Sequence, residues 1–395
     1  MNDAATPSLC ASYYPATSRA ITEMIRVILP SGQDTCALQA ALWNGELGRT
    51  AWSAWRQQLG DEQDLARIKR LLPLLAIAQR RYQEPLEPRL ATHLRTAYTR
   101  ESFRSQTLRE VCGRAFASLG ESEVPFIALK GVALAERVYP EPALRHCHDC
   151  DLLVPPGSHG QAVQALSRSG FHQIEDRRPK SGGTQLVHEH GLPLHLHVVL
   201  FEIPTYRACL DDLWSRAGSA ALGDAEMGVL GAEDAFIHVC GHASYSPSRQ
   251  HLSWVCDSWM ILQSQPNLDW DAVCKRAGAS QLSLPLSIVL TYLARTLRAP
   301  IPEQVLSHLA GARTTAVTRE AALFGAAAGP PGTVAKMCRR AKGIRAWATL
   351  IKWMFLPAPS HLRWRFHIQR PFLIPLYYAY RPFFALLRRL RQCFG

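Results

Sequence analysis

Through roughly the first 120 residues, apolar positions recur every three or four residues, which predicts helices. Ala20, Ile21, Met24, Ile25, Val27 and Ile28 form one such stripe. Trp43, Leu47, Ala51, Trp55 and Leu59 form a second at four-residue spacing, with Gly45 and Gly48 weakening its start. A third runs through Leu65, Ile68, Leu71, Leu72, Leu74, Leu75 and Ile77, with a kink expected at Pro73 and an end at Pro85 and Pro88. The polar, basic stretch 89–118 turns Leu90, Leu94, Ala97, Phe103, Leu108, Val111 and Phe116 inward.

Near Val124 the period changes. The pattern predicts strands over 125–129, 148–154, 171–175, 184–189 and 194–201, the last two forming a hairpin across Gly191-Leu192-Pro193. Helices are expected over 132–138 and 158–169, the latter ended by Gly170, and a loop over 176–183. Helical patterns then return over 206–217, 232–245, 250–264, 269–278, 283–297 and 302–310, and the run 325–332 with Pro330-Pro331 reads as a linker. The fold class expected is α/β in the α+β sense: a helical subdomain over 1–120, a small mixed-sheet core over 121–204, a helical subdomain over 205–322 and a tail over 323–395.

Composition adds two constraints. The chain has 395 residues, 47% of them apolar, enough for a sizeable core. Its eleven cysteines follow no repeating framework, and its start lacks a basic segment followed by an apolar run, so reduced thiols and a cytoplasmic location are expected. The net charge of +12 suggests a nucleic-acid partner until it is located. Residues 321–395 hold thirteen Lys and Arg and no acid, which leaves 31 basic against 32 acidic side chains in the rest. A nearly neutral body argues against a broad phosphate-binding surface.

The stretch 126–154 carries the candidate chemistry. An apolar run ends in Lys130-Gly131, a short helix follows, and the next strand displays Asp149 and Asp151 on one face, about 6–7 Å apart along the backbone. Two acids this close are held ionised most readily by a shared cation. Cys150, Leu152 and Val154 face the other way and can be buried. Gly131 offers backbone N–H groups to a phosphate and Lys130 a charge. Arg145 suits either an ion pair that orients Asp149 or a substrate contact. Elsewhere, Arg177, Arg178 and Lys180 lie in a loop whose default is a solvated charge run. His188, His190, His195 and His197 sit on paired strands but form a zinc site only if the register brings like faces together. Cys147 and Cys150, three apart on a strand, point to opposite faces and suit neither metal nor redox work. His238 and His242 share one helical face, can approach Asp257, and are read as a core network.

Taken together, Leu129-Lys130-Gly131, Arg145, Asp149-x-Asp151-Leu-Leu-Val, Leu196-His197, His242 and Trp254-Val255-Cys256-Asp257 resemble the poorly characterised bacterial nucleotidyltransferases of the DNA polymerase beta-like superfamily, from about residue 30 to residue 385. The resemblance implies a small nucleotidyltransferase sheet and two Mg²⁺ ions, or Mn²⁺, held by Asp149 and Asp151. It further implies Lys130, Gly131 and Arg145 as nucleotide-binding residues, and transfer of a nucleoside monophosphate from a nucleoside triphosphate to an unknown acceptor. Two departures stand out: the superfamily's Gly-Ser or Gly-Gly turn is Lys130-Gly131-Val132 here, and the family's acid-Leu-His-aromatic strand reads His195-Leu196-His197-Val198, so His195 stands where a third metal-binding acid is expected. Either the metal differs, Glu189 substitutes, or activity is reduced, and a non-catalytic nucleotide-binding or scaffold protein is the competing expectation. A metal-dependent glycosyltransferase is a weaker third.

The tail has its own composition. Trp347, Trp353, Phe355 and Phe372 mix with Arg345, Lys352, Arg381, Arg388, Arg389 and Arg391, and Pro371, Pro375 and Pro382 interrupt any run long enough to span a bilayer. Aromatic and cationic residues without acids predict that 343–395 contact an anionic membrane surface peripherally, on the inner face.

Overall fold

The computed structural model describes residues 28–60, 62–173, 183–201, 210–243 and 251–310, together with Ile25, Phe372 and 375–378. The chain forms two compact units, and every element named below belongs to the first. The loop 176–183, apart from its last residue, and the tail, apart from Phe372 and 375–378, lie outside the described residues, as does most of the stripe at 20–28. Among the described residues no helix is long and apolar enough to cross a membrane.

Among the described residues five helices precede the sheet: α1 (Gly32–Leu42), α2 (Gly45–Gln58), α3 (Glu62–Arg67), α4 (Leu72–Tyr82) and α5 (Pro88–Glu121). Pro73 falls in the first turn of α4, where its missing N–H costs nothing, so the expected kink becomes a break between two helices. In α2 the buried residues are Gly48, Ala51, Trp52 and Trp55, whereas Leu47 is 47% exposed. A strict four-residue repeat drifts by about 40° per step on an α-helix, so a stripe drawn through every fourth residue leaves the buried face. α5 has 34 residues, about 50 Å of helix. Its start packs Leu90, Leu94 and Ala97 among other helices, while Leu108, Val111, Ala115 and Phe116 cover one face of the sheet.

The seven-stranded mixed sheet has the order β3-β4-β5-β2-β1-β7-β6. Its strands are β1 (Ile127–Leu129), β2 (Cys150–Leu153), β3 (Phe171–Gln173), β4 (Gly183–His188), β5 (Pro193–His197), β6 (Gly218–Leu222) and β7 (Ala225–Val229). α6 (Gly131–Arg137) links β1 to β2, and α7 (His159–Arg168) links β2 to β3. After β5 come α8 (Leu210–Ser215), the β6–β7 pair and then α9 (Ala232–Ala243), α10 (His251–Ser264), α11 (Trp270–Ala279), α12 (Ser283–Arg295) and α13 (Glu303–Ala310). Asp269 caps α11, accepting a hydrogen bond from the Ala272 N–H.

The hairpin β6–β7 was not expected: it lies between the helices expected over 206–217 and 232–245, within the stretch 205–322 read as a helical subdomain, and adds two strands to the sheet. β7 pairs in parallel with β1 through Ala128 and Val229. The signal was present in sequence as a two-residue Gly223-Asp224 turn between two short runs. It was obscured because Ala220, Ala221 and Ala225 carry no β preference.

Strand alternation separates the two faces. Ala128, Cys150, Leu152, Leu186, Leu194, Leu196, Met227 and Val229 join α5 and α7 in one apolar cluster. Ile127, Leu129 and Leu153 project the other way, into the larger cluster shared with α9, α10 and α12. That second face also carries the candidate chemistry.

Gly228 is where β7 comes closest to the chain entering β1: a Cβ there would lie 2.1 Å from the Phe126 carbonyl oxygen. Neither backbone segment can yield without breaking the β1–β7 pairing. Gly228→Ala is therefore expected to lower stability by about 2 kcal/mol, seen as a lower urea midpoint with an unchanged slope.

Candidate functional site

β2 and β5 run in parallel with Asp151 opposite His195 and Leu153 opposite His197. Residues opposite one another in neighbouring strands share a face, about 4.8 Å apart. His195 is thus beside Asp151, and His197 reaches it diagonally. His195 Nδ1 and His197 Nε2 each lie 3.1 Å from Asp151 Oδ1, at hydrogen-bonding distance for an imidazole N–H donor. The antiparallel pairing of β1 with β2 sets Leu129 opposite Asp151, and Lys130, where the chain leaves the strand with a positive φ, turns back to the same carboxylate. Its Nζ is 3.7 Å from Asp151 Oδ2. Burial opposes charge on Asp151, but Lys130 and the two imidazoles outweigh it and hold the carboxyl well below the usual range.

Asp149 sits in the bend just before β2 and joins this group from its edge. Its Oδ2 is 3.9 Å from His195 Nδ1 and 3.6 Å from His148 Nε2. Burial holds His148 below the ordinary imidazole range, with Asp149 pulling upward and Arg70, His146 and Arg104 pushing further down. Of these, Arg70 is close enough to Asp149 for the two charges to act on one another. His146 is in turn fixed by buried Glu101, whose Oε1 lies 3.0 Å from its Nδ1.

Lys130 has φ 39°, the left-handed region that an L-residue enters at a cost of about 1 kcal/mol or more. Gly131 follows, buried, and a Cβ there would lie 2.9 Å from Cys147 Sγ and 3.5 Å from the Asp149 carbonyl oxygen. The lack of a side chain thus lets the β1–α6 turn pack against the segment that delivers Asp149. Cys147 contributes bulk rather than reactivity, since burial pushes its thiol up to about 12.

Arg145 finds a different partner from either expected one. Its Nε and Nη2 donate to Asp257 Oδ1 and Oδ2, both at 2.8 Å, and the Tyr139 hydroxyl donates to the same Oδ1 at 2.8 Å. The pair is buried, with side-chain exposures of 10% and 4%. Burial alone would weaken the guanidinium charge, but Asp257 raises its pKa above the ordinary arginine value. This clamp ties the chain entering β2 to α10. Arg70, which sequence reasoning passed over, sits half-buried near Asp149 and donates to Ser253 Oγ at 3.3 Å. No periodicity marks it, because its place depends on α3, α4 and α10 coming together.

His188, His190, His195 and His197 do not converge, and His190 lies in the turn after β4 rather than on a strand. Gln185 is opposite His195 and Gly183 opposite His197, whereas His188 packs against Phe171 on the other face, ring centroids 5.0 Å apart. Among the described residues two groups bring their ligand atoms within 4.8 Å of one another: Asp151, His195 and His197, and separately His188, Glu189 and His190. Glu189 therefore belongs to the other group and does not replace the missing acid.

Asp149 and Asp151 suit Mg²⁺, which prefers oxygen, but β5 brings two imidazoles, His195 and His197, to Asp151. The donor set as a whole fits a divalent ion that accepts nitrogen.

His238 and His242 lie on α9, and their rings stand 6.3 Å apart. Asp257 is engaged by Arg145 and Tyr139, and the His238 ring instead meets Phe201 edge-on at 5.6 Å. Burial first and Lys130 second hold both imidazoles well below the usual range. A depressed histidine pKa means that the unfolded chain takes up protons first, so stability falls as the pH drops below about 6.5. Each such histidine contributes up to about 1.4 kcal/mol per pH unit in that window. Urea unfolding between pH 7 and pH 5 should show the decline, and His238→Gln should make it shallower.

A crystal structure of an antigenic nucleotidyltransferase-like protein from Paracoccidioides brasiliensis is 13% identical over 51% of this chain and 96% of that one, with a TM-score of 0.35. A likeness this slight adds nothing to the fold, which the strand pairings define. Among curated proteins none matches. Residues 60–298, more than half of the chain, match the model of a family described as uncharacterised nucleotidyltransferase, and the protein belongs to that family.

Proposed function

We propose that the face formed by β1, β2 and β5 transfers a nucleoside monophosphate from a nucleoside triphosphate to an acceptor. An acceptor oxygen bonds to the α-phosphorus, the bond from that phosphorus to the bridging oxygen breaks, and pyrophosphate leaves with the bond's electron pair. The observation that carries this reading is the meeting of Asp149, Asp151 and Lys130 on one partly buried sheet face. Two carboxylates and an ammonium group at one spot suit a triphosphate brought in with a divalent cation.

Asp149 and Asp151 would hold that cation, whose chemistry is to offset charge on the transferring phosphoryl group. Lys130 now balances Asp151 and can turn to the triphosphate when the carboxylate is otherwise satisfied. Gly131 serves by letting the turn that bears Lys130 lie close to Asp149. Arg145, paired with Asp257, acts through position: it fixes the segment from which Asp149 projects. Arg70, close enough to Asp149 to act on it through charge, would add positive charge where the triphosphate would lie.

Titration calorimetry with the four nucleoside triphosphates and a divalent cation tests this. Native protein should bind at least one of them only when the cation is present. Asp149→Asn/Asp151→Asn, folded by circular dichroism, should lose that binding, and Lys130→Met should weaken it roughly tenfold or more. Unchanged binding by the double variant would remove the site from this face.

A further inference from the structure

The departure at His195 has a consequence of its own. β5 presents His195 and His197 to the same carboxylate oxygen, and the parallel register puts His195 directly opposite Asp151. A first-row divalent ion sits about 2.1 Å from nitrogen and oxygen ligands, so neighbouring ligands at right angles are about 3.0 Å apart. Asp151 Oδ1 is 3.1 Å from each imidazole nitrogen. Asp149 Oδ2, 3.9 Å from His195 Nδ1, is close enough to become a fourth ligand with a small side-chain movement.

We propose that Asp151, His195 and His197, joined by Asp149, form a mixed nitrogen and oxygen site for a transition-metal divalent ion of the Mn²⁺, Co²⁺ or Zn²⁺ kind, in place of an all-oxygen Mg²⁺ site. As a catalytic ion it rests on the nucleotidyl-transfer reading; as a bound ion it does not.

Three features of the chain support the assignment. Imidazole is a borderline ligand that these ions accept and Mg²⁺ takes poorly. Both histidines are held by strand pairing on rigid backbone, so the ligand set is organised before the ion arrives. Gln185, opposite His195 on β4, places its amide Nε2 3.3 Å from His195 Nε2. Turning that amide end over would present its oxygen to a protonated Nε2 and leave the Nδ1 lone pair facing Asp151. Gln185 then acts as a positioning residue that selects the ligating tautomer. Lys130, 3.7 Å from Asp151 Oδ2, supplies opposing charge. Ion and nucleotide are consequently expected to bind with positive coupling, because a triphosphate draws Lys130 away from the carboxylate.

Affinity alone would not decide the matter, since nearly every site of nitrogen and oxygen ligands binds these ions more tightly than Mg²⁺. The direct readout is whether nitrogen is bonded to the ion. Pulsed EPR of the native protein loaded with Mn²⁺ should show modulation from directly coordinated imidazole ¹⁴N. His197→Gln should reduce that modulation and weaken Mn²⁺ binding roughly tenfold. His195→Asp should shift preference toward Mg²⁺ by a similar factor, measured by Mg²⁺ competition against Mn²⁺. Bound Mn²⁺ without nitrogen modulation, or no saturable Mn²⁺ binding by the native chain, overturns the proposal without needing any variant to fold. The two readings fail separately. Nitrogen-coordinated Mn²⁺ with no nucleotide binding would sink nucleotidyl transfer and leave the metal site, whereas nucleotide binding with an oxygen-only ion would do the reverse.

Discussion

The site depends on the parallel pairing of β2 with β5. That register sets Asp151 opposite His195, while the antiparallel pairing of β1 with β2 brings Lys130 to the same carboxylate. Because side chains alternate along a strand, sliding β5 by one residue would bury His195 and His197 in the apolar cluster under α5 and expose Leu194 and Leu196. All four of Leu152, Leu194, Leu196 and Cys150 are fully buried on that side. The apolar face therefore fixes the polar one: burying those side chains is what keeps the acids and imidazoles together.

A second constraint acts at the entry to β2. The segment 142–149 has little regular structure, yet the position of Asp149 is fixed by it. It is held at three points: Arg145 is clamped by Asp257 on α10, His146 by Glu101 on α5, and Cys147 fills the space that Gly131 leaves open. Breaking the first of these by removing one partner would strand a charge in a buried position, a loss on the order of 3–5 kcal/mol in comparable pairs. The clamp joins a helix far away in sequence to the entry of β2, and both of its partners lie within the family match of residues 60–298.

Much of this was legible in sequence. Period-two alternation through 150–154 placed Cys150, Leu152 and Val154 inside, and all three are buried. The helices from α9 to α13 lie within a few residues of their expected bounds, because their apolar stripes are dense and Asp269 marks one start. What sequence could not give was anything set by register between distant strands. The convergence of His195 and His197 on Asp151, and the separation of His188 and Glu189 from them, follow from the strand pairings, which leave no local trace. The partner of Arg145 is 112 residues away. The β6–β7 hairpin was missed for a simpler reason: its small residues have weak strand preference, and its place beside β1 depends on Gly228 admitting the Phe126 carbonyl.

Under the proposed function this face moves a nucleotidyl group rather than merely holding a nucleotide. Incubating the native protein with cell extract and nucleoside triphosphates labelled in parallel at the α or the γ phosphate tests that most directly. Nucleotidyl transfer predicts that α label becomes fixed to an acceptor, with matching release of pyrophosphate, and that γ label does not. Transfer of γ label, or nucleotide binding with no fixed α label and no pyrophosphate, would contradict it.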